Sequence, residues 1–367
     1  MCRDERVVIL EGVKRPTGSS EFSIFVVLFQ MAFDLKNKLA IALEKRAPLF
    51  DVTDALRIVN GAADGFPGLT IDKFGDRYQM QFFGPELLTS KTEIVEALTA
   101  LFNPVCVVSK ERLSSSGKSL ENAPMDVVIG TREDAVGTVR EGNANFHVDL
   151  LDTINPGLFL DMRHVRLEVE ERFREMSGAS PANLEASAHL ENPGLRFLNL
   201  FSYTCSFSVH ARLGGAAVAT NADISGKILD KGRENYALNG LGLRPGEFFR
   251  GNAIEYVHWA QKKGLRFDGI VLDPPSFARF KGFNFNVREH LMPLVADCAT
   301  ILNPGGFFMV SSNYSEFNLS AFARDVLAAV SSVHPKAKTS WKKSQDVDFV
   351  GSGSTKDSCL VATLVEV

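Results

Sequence analysis

The chain has 367 residues, 45% of them hydrophobic and 23% charged, with a formal net charge of −4. These proportions are those of a folded globular protein, and the charge excludes attraction to nucleic acid through a global basic field. Its five cysteines (Cys2, Cys106, Cys205, Cys298, Cys359) contain no C-x-x-C pair, which argues against a disulfide framework or a metal site and points to a reducing, cytoplasmic interior.

In chain order, residues 1–45 form an N-terminal segment. Its run Phe22–Phe33 is strongly apolar but too short to cross a bilayer, so it reads as a buried strand or helix ahead of a targeting segment, and no membrane association is expected. From Asp34 to Arg46 the pattern is that of an amphipathic helix. Residues 46–150 read as a small α+β domain. Asn60-Gly61, Asp64-Gly65 and Pro67-Gly68 punctuate short apolar runs as hairpins do, a helix is expected around Leu87–Leu101, and a strand at Val105–Ser109. A polar loop over Lys110–Asn122 precedes three short strands near Val127, Val139 and Phe146.

Residues 151–367 form the larger domain. A helix opens after Pro156-Gly157 within FLDMRHVRLEVEERF, and Met176–Gly194, rich in Ser, Ala, Glu, Asn and Pro, reads as a surface excursion. Beyond it, strands and helices alternate to the C-terminus, which predicts an α/β fold: a Rossmann-like, doubly wound, mostly parallel sheet.

The most informative stretch is FLNLFSYTCS at 197–206, followed by a helix, Gly214-Gly215, and a second apolar strand ending in Asp223. Strand, tight turn, helix, strand and terminal acid form the arrangement in which a carboxylate accepts from ribose hydroxyls. The turn lacks G-x-G-x-x-G, so a nucleoside ligand without a pyrophosphate fits better, and a dinucleotide oxidoreductase fits less well. Three further strand ends carry polar or rigid groups: Asn252-Ala253, Asp273-Pro274-Pro275-Ser276-Phe277, and Ser311-Ser312-Asn313. Two prolines after a buried strand remove donors and leave carbonyls as acceptors, beside a carboxylate and a ring, which suits a flat amino-bearing base. The competing reading is a rigid turn with Phe277 in the core.

These motifs, with RENYALNG and LNPGGFFMVSSN, resemble the class I S-adenosylmethionine-dependent rRNA methyltransferases of bacterial type; the resemblance covers about residues 40–367. Residues 1–40 do not resemble the RNA-binding PUA domain of many members. The resemblance implies S-adenosylmethionine as cofactor, RNA as partner, and no metal; a homodimer stays open. It implies that Phe201, Ser202, Tyr203, Thr204, Cys205 and Ser206 surround the methionine moiety and that Asp223 holds the ribose. Asn252 and Ala253 then lie by the adenine, and Asp273 by the methyl group and target base. FLDMR resembles the family's FLDQR, which implies that Phe159, Asp161 and Arg163 line the cofactor cleft. Cys205 stands where the family has Gly, and Asn252 where it has Asp.

Relatives that methylate cytosine C5 carry a thiolate nucleophile in an S-C-S run at the end of the fifth strand. Here that run is Ser311-Ser312-Asn313. Guanine N7 has its own lone pair and needs only alignment. SSNYSEF and VREHLMPL resemble the guanine-N7 half of the bifunctional bacterial large-subunit enzyme. The expected chemistry is therefore guanine-N7 methylation, with Asp273, Pro274, Pro275, Phe277 and Asn313 at the reacting base. Exocyclic-amine methylation, cytosine-C5 methylation and a catalytically silent RNA-binding protein are the alternatives. His210 reads as packed, and Lys262, Lys263, Arg266, Arg279, Lys281 and Arg288 as a phosphate-binding rim.

Overall fold

The computed structural model describes residues 34–112, 123–178, 194–280, 283–349 and 360–367. The run Phe22–Phe33, most of the loop expected over Lys110–Asn122 and most of the Met176–Gly194 excursion lie outside them, as do Cys2, Lys281 and Cys359.

Helix α1 (34–46) precedes a five-stranded sheet of β1 (Ala55–Asn60), β2 (Leu69–Phe74), β3 (Arg77–Phe82), β4 (Cys106–Glu111) and β5 (Met125–Ile129), paired in chain order. Helix α2 (Lys91–Phe102) crosses between β3 and β4, which is why only that pair is parallel. Strand alternation divides the side chains between two faces. Ile71, Tyr78, Met80 and Phe82 pack with Leu35, Leu39 and Ala42 of α1 and Ile94 and Leu98 of α2. The other face is polar, yet Thr70, Asp72, Gln79, Gln81 and Lys110 on it are all buried, because the larger unit covers them.

A hairpin, β6 (Val136–Glu141) and β7 (Ala144–Asp149), wedges between the units: Val139, Phe146 and Val148 share one core with Phe74 and Val108 of the small sheet and Val209, Leu229 and Tyr236 of the large unit. Helix α3 (Arg163–Ser177) then leads into the main sheet. Its strands are β8 (Arg196–Leu200), β9 (Val218–Asp223), β10 (Phe248–Arg250), β11 (Phe267–Leu272), β14 (Leu302–Ser312), β15 (Lys338–Lys343) and β16 (Val361–Glu366), in the order β10-β9-β8-β11-β14-β16-β15. The first five are parallel and β16 runs against both its neighbours. Helices α4 (Ser206–Leu213), α5 (Gly226–Leu238), α6 (Ala253–Lys263), α7 (Val287–Ala299) and α8 (Leu319–Ser331) complete the unit. This is the doubly wound α/β architecture expected. Strand order reverses between β8 and β11, so a crevice opens at the carboxyl ends of those strands.

One element was not expected. Phe277 opens a second hairpin, β12 (Phe277–Phe280) with β13 (Phe283–Asn286), ahead of α7. The alternation in FNFN is its signal: Phe285 turns into the core against Phe201, ring centroids 5.6 Å apart, while Asn284 is exposed.

A clasp from the chain's C-terminal part joins the units. Asp348 receives the Arg163 guanidinium at 2.6 Å and the Arg57 backbone N–H at 3.0 Å, and its carbonyl accepts from Arg46 at 3.3 Å. Among the described residues, no helix is long and apolar enough to cross a membrane.

Candidate active site

The loop after β8 is held in an unusual backbone conformation. Phe201, Tyr203 and Cys205 have φ of 58°, 46° and 62°, all in the left-handed region although none is glycine. Each such residue costs about 1 kcal/mol or more, and strain of this kind collects at ligand-binding loops. The surroundings enforce it: Asp223 accepts from Tyr203 N–H at 3.1 Å, Thr204 Oγ1 donates to Gly157 O at 2.7 Å, and Asn235 Nδ2 donates to Thr204 O at 3.0 Å.

Above this loop lies a cavity of about 430 Å³. Phe201, Ser202, Tyr203 and Ser206 form its floor, and Asp223, Ile224 and Ala253 one wall. Asp273, Pro274, Pro275 and Asn313 also line the cavity, as does Phe159, whose ring lies 5.0 Å from that of Tyr203.

Two carboxylates face this cavity. Burial raises Asp223 against the pull of the N–H groups of Ser225, Tyr203 and Ile224. Burial pushes Asp273 up to about 6, Ser311 Oγ donating to it at 2.8 Å and Arg166 opposing the rise, with Asp161 adding to it. Asp161 is itself raised by burial and lines not this cavity but an adjoining one of about 500 Å³, which shares Phe159 and Asn313 with it.

Five expected residues line neither cavity. Arg163 is buried in the clasp, with Asp348 at 2.6 Å and Asp346 at 3.3 Å. Thr204 braces the loop from beneath, and Cys205 points into the core, where burial drives its thiol upward. Asn252 caps α6, its Oδ1 accepting from Ile254 N–H at 2.9 Å, so that oxygen is already engaged. Phe277 is 52% exposed, outside the core, with the Arg279 guanidinium 5.7 Å from its ring centre. The basic rim also divides. Lys262, Lys263 and Arg266 precede β11 and so sit at the opposite end of the sheet from the crevice, and Arg288 pairs with Glu316 at 3.3 Å.

Sequence reasoning missed Arg166, which lines the cofactor-side cavity. It pairs with Glu141 at 2.6 and 2.7 Å and donates to Phe159 O at 2.8 Å. Its spacing of three from Arg163 along α3 was the available signal.

A family model for S-adenosylmethionine-dependent methyltransferases matches residues 85–335. The chain belongs to that family. YwbD of Bacillus subtilis, whose name proposes a ribosomal RNA large-subunit methyltransferase, is 32% identical over 80% of this chain and 70% of its own. Ribosomal RNA large subunit methyltransferase I of Klebsiella pneumoniae is 29% identical over 71% of this chain; the match spans 61% of that relative's length. The crystal structure of the methyltransferase-like protein SMU.776, complexed with SAH, superposes with a TM-score of 0.73 at 23% identity, covering 92% of this chain and 82% of that one.

The cavity suits the family's cofactor, which supplies a methyl group on a cationic sulfonium. The partly buried carboxylates Asp223 and Asp273 are acceptors in a desolvated site, one suited to ribose hydroxyls and the other to a cation. Phe201, Ile224 and Ala253 offer the apolar contacts a purine needs.

Proposed function

We propose that this methyltransferase acts on large-subunit ribosomal RNA and transfers the methyl group to N7 of a guanine, in the cytoplasm. The observation that carries the reading is the composition of the crevice. Asp273, Pro274, Pro275 and Asn313 meet at the carboxyl ends of β11 and β14, and among the described residues no cysteine lines either cavity. Cys106, Cys205 and Cys298 are buried, and burial raises all three thiols, away from thiolate character. A covalent attack on a pyrimidine therefore has no cysteine nucleophile there among the described residues, whereas guanine N7 needs only orientation. The names of the two bacterial relatives support the rRNA substrate. In this reading Asp273 stands by the sulfonium methyl, Asn313 orients the base, and Phe277, exposed beside the mouth, stacks on the RNA.

Methylation of an exocyclic amine is the second reading, favoured by the acceptor-rich Asp273-Pro274-Pro275 turn. Substrate carrying 7-deazaguanosine at the target position separates the two: it should bind and not react if N7 is the acceptor, and react normally if an amine is. Mass spectrometry of rRNA nucleosides from a strain lacking the gene identifies the product. A variant with Cys205, Cys298 and Cys359 changed to serine or alanine should still methylate.

A further inference from the structure

The polar face of the small sheet is satisfied only in part within the protein: Lys110 Nζ donates to Thr153 O at 2.6 Å, but other groups on the face are left over. Alternation of this kind normally marks a face in water, but here Thr70, Asp72, Gln79, Gln81 and Lys110 are buried. Register joins them into two rows running across the strands, Thr70–Gln81–Lys110 and Arg57–Asp72–Gln79. Buried polar groups are normally satisfied within the protein, and Asp72 is, by Arg57 at 2.7 Å. Others are not. Thr70 Oγ1 and Arg112 Nε have no hydrogen-bond partner among the described residues. Gln79 donates its amide to Leu150 O at 2.7 Å and Gln81 donates to Asp72 at 3.4 Å, which leaves both side-chain carbonyl oxygens as acceptors.

All these groups line the cavity of about 500 Å³, which meets the cofactor cavity at Phe159 and Asn313. We infer that this cavity receives the target nucleotide turned out of the RNA, and that Gln79 and Gln81 read the edge of its base remote from the methyl donor. The inference rests on the guanine reading above and adds the site that selects the base. A guanine with N7 toward the cofactor presents N1–H and its 2-amino group at the far edge, two donors for two glutamine carbonyls. Adenine lacks both donors there. The Thr70 hydroxyl, Lys110 and Arg112 then meet ribose or phosphate oxygens. Extrusion of a base into a pocket is the general way an enzyme reaches a target atom held inside a duplex.

The test titrates guanosine, inosine and adenosine 5′-monophosphates into the protein saturated with S-adenosylhomocysteine. The same titrations are repeated on Gln79→Met, Gln81→Met and Thr70→Val, and methyl transfer to rRNA is measured in parallel. Inosine lacks only the 2-amino group. The wild type should bind the guanosine nucleotide about tenfold tighter than the inosine one, one of the two glutamine variants should lose that preference, and Thr70→Val should weaken both nucleotides alike. S-adenosylhomocysteine affinity should stay unchanged in all three; a glutamine variant that also loses it is misfolded, and the other variants then decide. Equal nucleotide binding by wild type and variants overturns the pocket. If the wild type still methylates rRNA in that case, only the pocket falls. Glutamine-dependent guanosine binding by a protein that methylates no rRNA supports the pocket and overturns the rRNA reading instead.

Discussion

Cys205 and Gly232 are complementary: a Cβ on Gly232, in the middle of α5, would overlap the sulfur of Cys205 beneath the cofactor loop. The position of Cys205, at φ 62°, is one that glycine normally fills. The thiol is tolerated because α5 is bare where it lands. Gly232→Ala should therefore destabilise the fold by about 1–3 kcal/mol through overpacking. Adding Cys205→Gly should recover much of that loss. Urea denaturation of the two single variants and the double gives the coupling, and additive losses would mean the two residues do not meet.

Asp223 has two tasks, holding the loop through Tyr203 N–H and facing the cofactor cavity. Asp223→Ala should weaken S-adenosylmethionine binding tenfold to a hundredfold, since a hydrogen bond to a charged group contributes about 1.5–3 kcal/mol. Calorimetric titration checks it, and unchanged affinity would remove Asp223 from the ribose site.

Asp273 titrates in an accessible range, its carboxyl pushed up to about 6 by burial. Above that pH it is anionic and attracts a sulfonium; below it the attraction fades. Affinity for S-adenosylmethionine should thus rise as pH increases through about 6, while S-adenosylhomocysteine, with a neutral sulfur, should respond far less. Asp273→Asn should flatten the difference. Stability of the free protein runs the other way. A carboxyl whose folded pKa exceeds its unfolded value of 3.8 favours the fold below 3.8, and that contribution is lost as pH climbs through about 6.

His210 is fully buried between Glu170 at 2.7 Å and Glu141 at 3.1 Å. Burial opposes its charge, but the hydrogen bonds and charges of Glu141 and Glu170 overcome this and raise it above 6.5. The contribution of this cation to stability is complete below pH 6.5 and declines as pH rises through the folded value. His210→Gln should cost about 1.5–3 kcal/mol at pH 6, because Glu141 and Glu170 each lose a charged hydrogen bond while keeping Arg166 and Arg174, and less at alkaline pH. Melting temperatures of both proteins across that range test the sign.

Much of this protein could be read from local pattern. The strand–turn–helix–acid run from Phe197 to Asp223 announced the cofactor unit because a buried parallel strand and the turn at its carboxyl end are written in consecutive residues. The amphipathic helix before residue 46 was equally plain, and so was the alternation of strands and helices in the larger unit. What stayed hidden depended on partners distant in the chain. Arg163 looked like a cofactor residue, but Asp346 and Asp348, nearly 200 positions later, draw it into the clasp. Arg166 went unnoticed in the sequence, because it is Glu141 on another element that fixes it at the cavity. The strands LTIDKF and RYQMQF divide their side chains between two faces, and only the docking of the larger unit turns the polar face inward. A polar residue on a strand is as compatible with water as with a ligand; burial decides between them, and burial belongs to the tertiary structure.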